Sequence, residues 1–178
     1  MANIYLVTSQ EVAENTPMGG NVDPDKYRFI ILDVQVMVLE PVLGTALYDK
    51  ILSDFDGGTL AGVYLTMFND YIKQVMWHSV FADYTKIGAY WVNNGGIYKH
   101  LSENSESVNK EEVDYLVKTQ QSKADTYIDR LDRYLCDQSS NIPEYKDAQD
   151  NDYDIIPKRG INTIGGLYFG RDEKTLYE

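Results

Sequence analysis

Apolar residues recur at helical spacing through most of this chain, and most densely between Pro24 and Phe55. There Tyr27, Ile30, Ile31, Val34, Met37 and Val38 repeat at intervals of three and four. That spacing predicts a helix with one stripe facing a core. Asp23 stands where its side chain can cap the first turn, and Pro24 falls where a missing N–H is harmless. Pro41 lacks a donor and disfavours helical dihedrals at Glu40, so a corner is predicted there, with Gly44 tolerating the turn. A second amphipathic helix is predicted from about Thr45, with Leu47, Tyr48, Ile51 and Leu52 on one face. Gly57 and Gly58 end it.

The flanking segments follow the same rules. Residues 3–7 are short, apolar and β-leaning, which fits an edge strand or a packed arm. Thr8 and Glu11 have capping-box spacing, predicting a short helix to about Glu14. Thr16 to Val22 reads as a loop. A long helix is predicted over about Ala61 to Val92, carrying Leu65, Phe68, Ile72, Val75, Met76, Val80, Tyr84, Ile87 and Trp91. Its middle is apolar nearly all round, as a central helix requires, while Asn69, Lys73, Asp83 and Lys86 mark an exposed strip. Asn93-Asn94-Gly95-Gly96 reads as its stop, and residues 97–108 as a polar connection. Asn109, with Glu112 at the capping-box position, opens a last helix. Val113, Leu116, Val117, Ala124, Ile128, Leu131 and Leu135 form its apolar stripe, opposite a charged face.

Beyond residue 137 the pattern changes. Pro143, Pro157 and the acidic run Asp147 to Asp154 argue against regular helix. Gly160, Gly165, Gly166 and Gly170 then alternate with Ile161, Ile164, Leu167, Tyr168 and Phe169. So apolar a tail needs cover, either on its own domain or on a neighbouring chain as an added strand. The pattern therefore predicts an all-α fold: a bundle of about four to five helices over residues 1–138. An extended, loop-rich arm follows over 139–178, with room for a short strand or hairpin.

Composition narrows the function. At 178 residues the chain fits one domain with an appendage. A single cysteine, Cys136, excludes an internal disulfide and a four-cysteine zinc site. No apolar run is long enough to span a membrane, and the first residues lack a signal-peptide pattern, so a reducing cytosol is expected. The net charge is −12. Only residues 155–178, with three acidic and four basic side chains, lean the other way. Such a chain is poorly suited to gripping nucleic acid, which takes clustered cations. Its acidity serves solubility or a surface that repels DNA. Fifteen tyrosines suit interfaces and wet-edged cores alike.

Candidate chemistry is sparse. His78 lies in the long helix beside Trp77, with no His or Cys three or four residues away to share a metal, and reads as a structural histidine. His100 falls in a polar connection. Cys136, near a helix end, reads as packing rather than a reactive thiol. The stretch from Gly165 to Gly170 lacks the Gly-Lys-Ser/Thr ending of a phosphate loop. Residues 150–154 lack the glycine and distal glutamate of a calcium loop. No cofactor, metal or catalytic residue is expected. An enzyme with a site assembled around His78, and a non-virion helical adaptor that binds host proteins, stand as alternatives to the reading that follows.

Several stretches carry a family resemblance: Leu39-Glu40-Pro41-Val42-Leu43-Gly44 followed by Leu47-Tyr48, the long aromatic helix, and Asn93-Asn94-Gly95-Gly96-Ile97. So do the connection SENSESVNKEEV, the helix end YIDRLDRYL and Asn141-Ile142-Pro143-Glu144-Tyr145. In these the chain resembles the head–tail connector, or neck ring, proteins of tailed bacteriophages, in particular those of crAss-like phages of Bacteroidota. The resemblance implies a virion structural protein without an enzymatic step. Such proteins form a ring, often of twelve subunits, beneath the portal protein. They extend the DNA channel, which DNA traverses without specific binding, and offer a platform to the tail or further neck proteins. On that footing Ile161, Ile164, Leu167, Tyr168, Phe169 and Arg171 are the expected contacts to a neighbouring subunit or the portal.

Overall fold

A computed structural model describes residues 4–18, 22–88, 90–93, 96–99, 110–146, 155, 157, 162–164 and 167–169. The fold is all-α, a helical bundle to which two short hairpins are added. Its helices are α1 (Ser9–Asn15), α2 (Arg28–Val34), α3 (Glu40–Leu43), α4 (Thr45–Asp56), α5 (Gly62–Met67), α6 (Lys73–Ile87), α7 (Lys110–Asp137) and α8 (Pro143–Lys146). A 3-10 turn at Pro24–Lys26 leads into α2. A π-helical segment at Gln35–Leu39 joins α2 to α3, and another at Phe68–Ile72 joins α5 to α6.

The start signal of α1 acts as the sequence predicts. Thr8 Oγ1 accepts from the Glu11 N–H at 3.1 Å, and Glu11 Oε2 accepts from the Thr8 N–H at 2.8 Å, closing the box at α1. Asp23 Oδ1 accepts from the Asp25 N–H at 3.1 Å, but it caps only the 3-10 turn; α2 itself begins at Arg28 without a side-chain cap. The segment before α1 is a packed arm rather than a strand. Leu6 and Val7 are buried. The arm is held by the side-chain amide of Gln35, which accepts from the Leu6 N–H at 2.8 Å and donates to the Ile4 carbonyl at 3.1 Å. A buried amide matched on both sides in this way stabilises instead of costing.

The corner predicted at Glu40-Pro41 lies at Gly44 instead. The rod runs on through Pro41 to Leu43. A proline ring crowds the carbonyl four residues back. Here the backbone has already widened into a π turn, in which the Glu40 N–H reaches the Gln35 carbonyl. The wider turn also rotates the side chains that follow it. Gln35 and Leu39 become buried, while Met37, expected in the core stripe, is 76% exposed.

The central helix behaves as expected in its middle, where residues from Val75 to Ala82 are buried without a break. Leu65 and Ile87, placed among its apolar core residues by spacing, are exposed at its two ends. Its C-terminal limit is also corrected: α6 ends at Ile87, and Tyr90–Asn93 (β1) pairs antiparallel with Gly96–Lys99 (β2). Asn93 lies opposite Gly96, so two residues connect the strands. The stop signal and the first part of the expected polar connection are thus a hairpin. Aromatic and β-branched residues on both sides of an Asn-Gly pair favour that outcome over a longer helix.

Helix α7 lies along α6 and buries Val117, Ala124, Leu131 and Leu135. The bundle also extends past the boundary drawn at 138. Ile142 and Tyr145 are buried in the same core as Leu131 and Leu135. The tyrosines tie elements together at the wet edge of that core. Tyr27 donates to the Ser9 carbonyl at 2.7 Å, Tyr134 to the Val63 carbonyl at 3.0 Å, and Tyr64 to Glu144 at 2.6 Å. Each side chain adds apolar burial and a hydrogen bond that fixes one helix against another.

The cap at Asn109, His100, the connection from 100 to 108 and the acidic run 147–154 lie outside the described residues.

Candidate interaction surface

The root of the C-terminal arm is built at the Gly44 corner. Gly44 holds φ +77° and ψ 152°, which a side chain rarely tolerates. The space beside it is filled by Pro157. A Cβ on Gly44 would lie 2.6 Å from Pro157 Cδ and 2.7 Å from Cγ. Next to it, the Thr45 N–H donates to the Ile155 carbonyl at 3.0 Å, and the Ile155 N–H donates to Thr45 Oγ1 at 3.2 Å. The Thr45 hydroxyl in turn donates to Glu40 Oε1 at 2.8 Å. Gly44 leaves the first turn of α4 without a side-chain cap. The Ile155 carbonyl serves one of the amide donors left open there.

Beyond this latch, Asn162–Ile164 (β3) pairs antiparallel with Leu167–Phe169 (β4) as a two-stranded sheet. The register sets Ile164 opposite Leu167, Thr163 opposite Tyr168 and Asn162 opposite Phe169. Four of the six expected contact residues therefore belong to one hairpin. Ile161 and Arg171 lie outside the described residues.

His78 is buried, and its Nδ1 sits 2.9 Å from Gln120 Oε1. With the amide so oriented, Nδ1 carries the proton and donates. The imidazole stacks on Tyr127, with centroids 5.9 Å apart. Burial lowers its pKa below the ordinary histidine value, against the opposing effect of the Gln120 hydrogen bond. These contacts give His78 a packing role between α6 and α7. Gln120, a polar residue within an apolar stripe, is its partner, and spacing alone did not single it out.

A groove of about 350 Å³ opens between the π segment at Gln35–Leu39, α6 and α7. Ser79, Ala82 and Ala124 are among its lining, with Val38 and Ile128 as larger apolar groups and Asp83 and Asp125 as acids. Asp83 is paired with Lys86 at 2.8 Å.

Among the described residues, no group of three or more His, Cys, Asp or Glu side chains is placed to hold a metal, and no helix is long and apolar enough to cross a membrane.

This is a helical-bundle protein with a C-terminal arm rooted at one corner. The chain belongs to a family of unknown function, DUF6712, whose profile matches residues 39–155. The matched span begins one residue before Glu40 and ends at Ile155, so the Thr45–Ile155 latch brings its two ends together. No curated protein and no solved structure matches the chain.

Proposed function

We propose that this chain is a structural virion protein, a head-to-tail connector of a tailed bacteriophage. It assembles as a homo-oligomeric ring under the portal, extends the DNA channel and presents a platform to tail or further neck proteins. It is made in the host cytoplasm, performs no enzymatic step and uses no cofactor. The resemblance carried by the Leu39–Tyr48 stretch and the segments after it supports this reading.

The structural observation that carries it is the latch. Ile155 and Pro157 are seated on Thr45 and Gly44, so the arm leaves the bundle at a defined corner. A ring needs heterologous contacts, in which one face of each subunit meets a different face of the next. An arm with a fixed root, followed by a short apolar hairpin, supplies one such face. The net charge of −12 fits a channel through which DNA slides without adhering.

Cryo-electron imaging of the particle neck tests the reading. A ring whose subunits take this bundle, directly beneath the portal, is the expected result. Purified particles that lack the chain altogether overturn it.

A further inference from the structure

The groove between the π segment at Gln35–Leu39, α6 and α7 has features that packing among the described residues leaves unused. A space of about 350 Å³ takes whole side chains, since a water's share of liquid volume is only about 30 Å³. Its lining sets small Ala82 and Ala124 and the larger apolar Val38 and Ile128 beside the polar Ser79 and Gln121. Met37, the chain neighbour of Val38, stands out into solvent, as does Val36. Asp83 is balanced by Lys86, whereas Asp125 has no ion-pair partner among the described residues.

The β3–β4 hairpin has the complementary character. Each strand is three residues long, and among the described residues the sheet holds only those two strands. A two-stranded hairpin is marginal in water and needs another surface to hold it. Its sequence carries Ile164, Leu167, Tyr168 and Phe169. Lys158 and Arg159 precede it, while the flank that follows, Arg171-Asp172-Glu173-Lys174, balances its charges. An apolar segment preceded by two cations thus suits a groove of mixed lining that carries the carboxylate of Asp125.

We propose that this groove receives the β3–β4 hairpin of a second copy of the chain. The proposal rests on the ring reading and specifies its receiving face: each subunit would give its hairpin and take its neighbour's. The π turn has a part in this, because it turns Val36 and Met37 outward beside the groove while Gln35 and Leu39 fill the core.

The test uses two full-length chains on a Cys136→Ser background, one carrying Met37→Cys and the other Phe169→Cys. After mixing, co-assembly and treatment with a short bismaleimide, a covalent heterodimer is expected, because only contact between copies can form it. Assembly should also shield Met37→Cys from a monofunctional maleimide. Asp125→Lys, a change at an exposed side chain, should weaken assembly roughly tenfold, more so at low salt. A doubly substituted chain that links only within itself, with no heterodimer in the mixture, overturns the proposal. So does a ring that forms while Met37→Cys stays fully reactive, and that result leaves the ring reading standing. A chain that never oligomerises in any condition sinks both.

Discussion

Thr45 and Ile155, 110 residues apart in sequence, exchange two hydrogen bonds across the Gly44 corner. Through this contact the turn in the Leu39–Tyr48 stretch becomes the socket for the arm. It also explains why the turn is glycine: the residue must hold φ +77° and leave room for Pro157.

Gly44→Ala should therefore destabilise the protein in two separable ways. Strain at positive φ costs roughly 1–3 kcal/mol, and the added methyl displaces Pro157. Pairing it with Pro157→Ala relieves only the second effect. Chemical denaturation of the four-member cycle should show the double variant to be more stable than the summed single losses imply.

Thr45→Val keeps the side-chain shape and removes the hydroxyl that Ile155 and Glu40 share. We expect a loss of about 0.5–1.5 kcal/mol. Hydrogen exchange at the Ile155 amide should quicken well before exchange in α6 does. Thr45→Ser should restore protection.

Gln35→Ala should leave the Leu6 N–H and the Ile4 carbonyl unsatisfied, at about 1–3 kcal/mol. Proteolysis should then cut before α1 while the remaining bundle stays intact.

Two titrations act in different pH windows. Neutral His78 is favoured in the folded state, with its pKa below the unfolded value of 6.5. Its contribution is present above that value and is lost as pH falls through it, because the unfolded chain takes up the proton first. His78→Gln should flatten the stability slope between about pH 7 and 5. For Glu11, burial raises the pKa. Hydrogen bonds from Lys73 and the Thr8 amide and hydroxyl, together with the Lys73 charge, outweigh burial and hold the carboxyl below its ordinary 4.5. That stabilisation is present above 4.5 and lost as pH falls below it. Glu11→Gln retains an acceptor for Thr8 but loses the charge facing Lys73 at 2.8 Å, so it should differ from the parent near neutrality and converge with it in acid.

Positions and types of the helices were legible because burial of one face imposes a period that the residues display. Tyr27, Ile30, Ile31 and Val34 all point inward as their spacing requires. What escaped was phase and partnership. One wide turn at Gln35–Leu39 moved Met37 outward, and amphipathic counting assumes a constant turn. The stretch from Tyr90 to Val92 reads as helix by continuity with α6, although aromatic and β-branched residues around Asn94-Gly95 were an available hairpin signal. At Gly44 the glycine advertised a turn, but nothing in the chain named Pro157 as its neighbour. Gln120 was likewise hidden, since a lone amide in an apolar stripe does not specify which buried group it serves.

The native mass of the full-length chain, alone and mixed with portal protein, tests the central claim most directly when compared with a chain ending at Pro157. That truncation keeps the latch and removes the hairpin. A closed ring is expected for the full chain and its loss for the shortened one, with the bundle's melting unchanged. A monodisperse monomer from the full chain in both conditions, or an intact ring without residues 158–178, contradicts it.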